Sequence, residues 1–227
     1  ARKSRGLGDV YKRQAIERQF EEEAKEGFMR KVRKQQAEKE YGDSLLIAGL
    51  AAIEKSDESF RVIHDGTHGV RVNPKIKIRD QTRSPTIAEG RTVLAQNMER
   101  GGTHFSLKGD VKAAHRRVKN RRKDHGRQAC QLDPSHVWLN QVGTFGIGSA
   151  AYWWARLVSG PNRMVLYVME NTWYWQLLFA DDYQWSAGGG DAAIAILSGV
   201  LLLVVLGVPF SSSKFRGGFE LDWVGYW

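Results

Sequence analysis

The chain contains almost no cysteine and no pairing of cysteine with histidine that suits a zinc ion. Cys130 is the one cysteine among 227 residues, so no internal disulfide can form. This scarcity favours a reducing, intracellular location, nuclear or cytoplasmic, over secretion. The histidines at 104, 115, 125 and 136 fall at irregular intervals without cysteine partners, which argues against a structural zinc site.

Long apolar runs are equally scarce. The most apolar stretch, residues 192–208, has no charged side chain over its 17 positions. A membrane-spanning helix needs about 20 apolar residues, with roughly 17 as the lower limit. Ser198, Gly199 and Gly207 interrupt the run. Two interpretations follow: a helix packed on a sheet, or a membrane anchor whose basic neighbours face anionic lipid.

The composition supports a folded protein with a polyanionic partner. Apolar residues make up 42% of the chain and charged residues 26%, which permits one domain, or one and a half, with a packed core. The net charge of +9 suits nucleic acid or an anionic membrane surface, and charge alone does not choose between them.

The first 14 residues are predicted to lie outside the fold. Residues 9–14 resemble the translation of a transposon end used in preparing sequencing libraries, so residues 1–14 are interpreted as an adapter-derived segment or a basic tail. Residues 15–58 are rich in helix-forming residues. We expect one helix over 15–40, broken by Gly42, and a second helix through Ile53.

Strands and helices then mix without a regular βαβ alternation, which predicts an α+β fold. The patterns predict two or three short strands over 60–78, a helix over 84–98, a strand over 103–108, a helix over 111–122, a strand over 137–142, a helix over 148–157, two strands folded about Asp181-Asp182 over 175–185, and a final hairpin over 214–227.

Basic residues concentrate after position 110. Eight lysines or arginines lie between Lys112 and Arg127, against the single acid Asp124. Such a segment is expected to contact backbone phosphates without reading sequence, although a solvated basic surface is the plainer alternative. The candidate nucleic-acid-binding residues are Lys112, Arg116, Arg117, Lys119, Arg121 and Arg122.

Two acidic sites stand out because their surroundings are apolar or strand-forming. Asp181 and Asp182 lie inside the segment 177–185, where adjacent carboxylates lose hydration and repel each other. A cation relieves both costs, and Mg²⁺ prefers oxygen ligands. Asp110 follows a predicted strand. If the two segments pair in one sheet, the three carboxylates converge and could hold two metal ions.

These residues lie in segments that resemble the motifs of reverse transcriptases. Residues 179–182 (Phe-Ala-Asp-Asp) resemble the family's aspartate-pair hairpin, residues 106–115 its earlier palm motif, and residues 144–151 the segment between them. Upstream, Arg61 to Asp65 followed by Asn73 is similar to a fingers motif. Downstream, residues 206–208 with Lys214 are similar to a fourth palm motif, and residues 223–225 lie where the primer-grip hairpin begins.

The resemblance implies RNA-directed DNA synthesis by an enzyme of a retrotransposon-type element. It implies partial fingers over 59–102 and a palm over 103–227, an antiparallel sheet packed on helices, with no thumb within these residues. Asp110, Asp181 and Asp182 would hold two Mg²⁺ ions, with Mn²⁺ as an alternative, and Lys214 would assist the leaving pyrophosphate. The implied partners are an RNA or DNA template-primer and dNTPs.

The resemblance also implies a set of substrate-binding residues. Arg61 would meet the triphosphate, and His115 stands where the family usually has Phe or Tyr to exclude a ribose 2′-hydroxyl. Phe145, Gly146 and Ser149 would contact template and nucleotide.

Three alternatives stay open. They are an inactive nucleic-acid-binding relic of the same fold, a membrane-associated basic protein anchored by residues 192–208, and an RNA-copying RNA polymerase. The last is disfavoured because Ala180 stands where such enzymes usually carry Gly.

Overall fold

The computed structural model describes residues 10–55 and 59–225, so residues 1–9 of the predicted tail lie outside the described residues. The chain forms two compact units, each assembled from two stretches: unit 1 from the described residues up to Asp80 and from His115–Trp153, and unit 2 from Gln81–Ala114 and from the described residues after Trp153. Helices and largely antiparallel sheets occur together, which confirms the predicted α+β class.

The helices and strands are numbered in chain order. They are α1 (Val10–Lys25), β1 (Met29–Arg33), α2 (Lys34–Tyr41), β2 (Ile47–Ala48), β3 (Leu50–Glu54), β4 (Phe60–His64), α3 (Ile87–Arg100), β5 (His104–Asp110), β6 (Ala129–Cys130), β7 (His136–Asn140), α4 (Ala150–Val168), β8 (Tyr174–Phe179), β9 (Asp182–Gly188), α5 (Ala192–Val205) and β10 (Arg216–Gly218).

Unit 1 is built on a four-stranded sheet in the order β1-β7-β6-β2 and a separate hairpin of β3 and β4. Helix α1 packs Ile16 and Phe20 into the core, where the Phe20 ring meets the edge of Trp138 at 5.4 Å between centroids. Burial of these large apolar side chains stabilises the unit.

The predicted helices of the N-terminal region are partly wrong. Strand β1 interrupts the helix expected over 15–40, because Gly27 turns the chain at a φ of 77° and Phe28 and Met29 are then buried. The helix expected through Ile53 is instead β3, which pairs with β4 so that Leu50 and Ala52 pack on the apolar core. Tertiary burial overrides local helix propensity here.

Unit 2 is built on a four-stranded antiparallel sheet in the order β10-β5-β9-β8. On one face, Tyr183 and Trp185 are fully buried and stacked at 5.0 Å between ring centroids. Phe210 meets both rings edge-on. This aromatic layer packs against β9, the strand that begins at the predicted acid Asp182.

Helix α3 confirms the helix expected over 84–98. Thr86 caps its first turn, and the side chain of Glu89 accepts from the Thr86 backbone N–H in return. Gly101 follows the last turn with a φ of 68°. Both ends use ordinary capping chemistry that is readable in the sequence.

Helix α5 corresponds to the apolar run. Its 14 residues bury Ala195, Ile196 and Leu203 on one face, while Leu197 and Leu201 remain exposed. In the part of the chain that the structure describes, no helix has the length and apolar character needed to cross a membrane.

Two further expectations are wrong. The segment over 111–122 is not an α-helix: Ala113 has a φ of 53°, Val111 bridges to Phe210, and short 3₁₀ turns follow at Ala114–Arg117 and Arg122–Gln128. The hairpin over 214–227 is replaced, up to residue 225, by the single strand β10, which pairs with β5. Long-range pairing decides both segments.

Candidate active site

The sheet of unit 2 brings Asp110 and Asp182 directly opposite each other. Asp110 is the last residue of β5, Asp182 is the first residue of β9, and the antiparallel register pairs their Cα atoms. Strands β8 and β9 are joined by the two residues Ala180-Asp181, which confirms the two strands predicted about the acid pair. All three predicted acids therefore lie at one end of this sheet.

The turn that carries Asp181 is strained and held from two sides. Ala180 has a φ of 54°, a conformation that costs a residue with a Cβ roughly 1–2 kcal/mol. The indole Nε1 of Trp154 donates to the Ala180 carbonyl at 2.8 Å, and Val111 N donates to the Asp181 carbonyl at 2.9 Å. These bonds hold the hairpin tip in place at the end of β5.

Asp110 is fastened to the segment that follows α5. The Lys214 ammonium lies 2.8 Å from Asp110 Oδ1, and the Ser211 hydroxyl donates to the same oxygen at 3.3 Å. Asp110 keeps only 16% of its side chain exposed, whereas Lys214 keeps 60%. Lys214 thus places an exposed cation on a largely buried acid.

Asp182 is costly to ionise in this setting. Burial raises the pKa of Asp182, and the charges of Asp181 and Asp110 raise it further, while Lys214 and Lys108 partly oppose the shift. A cation placed at this edge would relieve the repulsion.

The acids could hold Mg²⁺ only together with water or substrate oxygens, because they do not enclose the ion by themselves. Across residues 10–55 and 59–225, no three or more His, Cys, Asp or Glu side chains form a ready metal cage. Mg²⁺ in nucleotide-transfer sites is commonly held by one or two carboxylates with waters and substrate phosphates. The facing pair Asp110 and Asp182 suits that mode of binding, and Asp181 lies in the adjoining turn.

A cleft of about 400 Å³ opens at this edge of the sheet. The charged lining residues are two carboxylates, Asp110 and Asp182, and three cations, Lys108, Lys214 and Arg216. Gly109, Trp223 and Val224 complete the lining. Lys108 is anchored there, because its ammonium donates to the Asp222 carbonyl at 2.8 Å and to Asp222 Oδ1 at 2.7 Å. Such a lining can bind a ligand that carries both phosphate groups and a metal ion.

Unit 1 gathers three of the predicted substrate-binding side chains. The Phe145 ring is 41% exposed. The Arg61 guanidinium lies 5.6 Å from its centroid, and the His115 ring meets it edge-on at 5.1 Å. Cation–π and edge-to-face contacts of this kind orient an exposed aromatic ring.

Gly146 and Ser149 occupy the turn that follows Phe145. Gly146 has a φ of 93°, and a Cβ at this position would clash with the His64 carbonyl oxygen. Asn73 braces the turn: its amide donates to the Gly146 carbonyl at 2.8 Å, and its Oδ1 accepts from Gly148 N. Ser149 lies half-buried just before α4.

Similarity to known proteins was found at the level of structure. No family model and no curated protein sequence matches the chain. A solved structure of the foamy viral protease-reverse transcriptase dRH in complex with double-stranded DNA matches with a TM-score of 0.72 at 13% sequence identity. The likeness establishes the fold. It covers 97% of this chain and 34% of that one, so the chain spans about a third of the length of this neighbour.

The predicted basic residues divide into two groups. Lys112, Lys119, Arg121 and Arg122 are exposed, and Arg117 is half-buried with its guanidinium 5.4 Å from the Phe28 centroid. Arg116 is only 7% exposed, and its guanidinium is bonded to Glu23 and Asn140. The assignment of Arg116 to phosphate contact is therefore wrong, because a buried, paired guanidinium cannot reach a solvated backbone.

Sequence reasoning missed Lys108 and Arg216. Lys108 precedes Asp110 by two residues on the same strand, so alternation of side chains places both on one face of the sheet. That signal was readable. Arg216 pairs with Lys108 across the β10–β5 ladder, and only the tertiary register shows this.

Proposed function

We propose that this chain is part of an RNA-directed DNA polymerase of a retrotransposon-type element, acting by template-directed nucleotidyl transfer. The observation that carries the proposal is the register of β5 and β9, which sets Asp110 opposite Asp182 with Asp181 in the adjoining turn. The fold shared with the foamy viral protease-reverse transcriptase supports it.

In this proposal Asp110, Asp181 and Asp182 hold two Mg²⁺ ions, with Mn²⁺ as an alternative. When bound, the ions would lower the pKa of a primer 3′-hydroxyl and neutralise the triphosphate. Lys214 has a role of its own. Its ammonium neutralises Asp110 in the free protein, and its exposed stem lets it turn toward a leaving pyrophosphate.

The proposed partners are an RNA or DNA template-primer and dNTPs. The exposed residues Lys112, Lys119, Arg121 and Arg122 suit non-specific phosphate contact. The roles of Arg61, His115, Phe145, Gly146 and Ser149 toward the incoming nucleotide stay predictions.

Primer extension tests the proposal. The chain is given a primed RNA template, dNTPs and Mg²⁺, and the wild type is compared with Asp181→Asn. A matched control is Asp191→Asn, because Asp191 is exposed in the same unit and its side chain caps no backbone group. We expect extension by the wild type and the control and none by Asp181→Asn. Equal extension by all three proteins would refute the proposed metal site.

A second candidate is an inactive nucleic-acid-binding relic of the same fold. The Lys214–Asp110 ion pair favours it, since this cation already compensates one of the acids in the free protein. Folded wild type that binds labelled RNA yet extends no primer, with Mg²⁺ or Mn²⁺, would establish the relic in place of the enzyme.

A further inference from the structure

Unit 1 contains a buried chain of polar side chains that begins at Arg116. Its guanidinium donates to Asn140 Oδ1 at 2.7 Å and to the Gly143 carbonyl at 3.3 Å, and it forms an ion pair with Glu23 of α1. A buried guanidinium is stable only when several partners compensate it. Here those partners come from α1 and from residues 140–143.

Asn140 continues the chain to the other side of the core. It is fully buried, and its Nδ2 donates to the Gln128 carbonyl at 2.8 Å and lies 3.2 Å from His64 Nε2. Because Oδ1 accepts from Arg116, the amide orientation is fixed and both amide hydrogens point to acceptors. Glu23, Arg116, Asn140 and His64 therefore form one connected network.

Both ends of the network reach the aromatic pair His115–Phe145. Arg116 follows His115 in the same 3₁₀ turn. At the other end, His64 N donates to the Phe145 carbonyl at 3.0 Å. The network is thus connected to both backbone segments that carry His115 and Phe145. The centroids of these two rings lie 5.1 Å apart.

We propose that Arg116 and Asn140 are positioning residues that hold the His115–Phe145 pair in place for an incoming nucleotide. The inference rests on the proposed function, because it assigns the pair a nucleotide as ligand. Neither residue touches the ligand; each acts through the backbone turns that it bonds.

The chemistry of the network explains why these residue types are required. Arg116 bonds separate groups through one planar fork, which a lysine ammonium on a flexible stem does not reproduce. Asn140 offers one acceptor and two donors, whereas ionised aspartate in its place would keep the acceptor for Arg116 and lose both donors. The two conservative substitutions therefore loosen opposite ends of the network.

The test compares Arg116→Lys and Asn140→Asp with wild type and with Val137→Ala. Val137 is fully buried on the same strand as Asn140, but it belongs to a separate apolar cluster. It controls for loss of stability without loss of the network. Circular dichroism first establishes that each variant is folded.

The first readout is the NMR signal of the His115 ring, assigned with His115→Asn. Contact with the Phe145 ring displaces this signal from its free-histidine position. We expect the displacement to shrink in Arg116→Lys and Asn140→Asp and to persist in Val137→Ala. An unchanged signal in both folded network variants would overturn the inference.

The second readout is the dNTP dependence of primer extension. Misplacement of the pair should raise the KM for dNTP roughly tenfold in each network variant, with a much smaller change in kcat. Loss of kcat with unchanged KM would refute the positioning role. If the wild type extends no primer, the proposed function fails, and the nucleotide as ligand falls with it; the NMR comparison still decides whether the network holds the pair.

Discussion

The buried His64 side chain should make the stability of the protein depend on pH. It is 3% exposed, and burial, helped by the charge of Arg116, lowers the pKa of His64 from 6.5 to about 3. Asn140 Nδ2 lies 3.2 Å from Nε2, which suits an uncharged ring. The folded state therefore keeps His64 neutral at pH values where the unfolded chain binds a proton.

This difference in proton binding determines whether the protein gains or loses stability as the pH falls. Below pH 6.5 the unfolded state carries the extra proton, so the free energy of unfolding falls as the pH falls, and the loss continues toward pH 3. One proton corresponds to about 1.4 kcal/mol per pH unit, so we expect a loss of about 2 kcal/mol between pH 7 and pH 5.

Denaturant unfolding at pH 7 and pH 5 measures this loss. The perturbation is His64→Gln, which keeps an acceptor for Asn140 and does not titrate. The variant should lose about 2 kcal/mol less than the wild type over this interval. His68→Gln is the control for removing an exposed histidine, because the His68 side chain is 86% exposed and lies outside the buried network. Equal losses in His64→Gln and wild type, within about 0.5 kcal/mol, would refute the reasoning.

Two more predictions concern strain and charge in the two units. Asp182→Asn removes the like-charge repulsion between residue 182 and Asp110, which face each other across the β5–β9 ladder. The variant should therefore stabilise the metal-free protein by about 0.5 kcal/mol and raise its Tm by about 1–2 °C. Added Mg²⁺ should raise the Tm of the wild type and leave that of the variant unchanged. Gly146→Ala should cost at least about 2 kcal/mol in denaturant, because the added Cβ meets the His64 carbonyl at a positive φ. Its control, Gly90→Ala, has open space in α3 and should stabilise slightly; comparable behaviour of the two glycine variants would contradict the clash.

Local chemistry made several elements readable from the sequence. Thr86 and Glu89 have the residue types and spacing of the cap that begins α3, and β-prone residues on either side of the acid pair predict β8 and β9. The segment before Asp110 was readable as a strand for the same reason. In each case the signal lies within a few neighbouring residues, so no distant partner is needed to interpret it.

Elements that depend on distant partners differ from the predictions. The segment around Arg116 resembles a basic surface helix, but Glu23 and Asn140 bury its guanidinium, and neither residue is near it in sequence. Strand β1 consists of residues that also suit a helix, and its pairing with β7 decides the outcome. Local propensity is worth tenths of a kcal/mol per residue, which burial readily exceeds.

The sequence by itself determined the α+β class, the acids at 110, 181 and 182, and the strands that carry them, because residue type and alternation encode these features locally. Only the tertiary structure decided that Asp110 faces Asp182, that Lys214 pairs with Asp110, and that Arg116 is part of a buried network. The physical reason is the same in all three cases. Strand register and the pairing of buried charges depend on groups that meet only after the chain has folded.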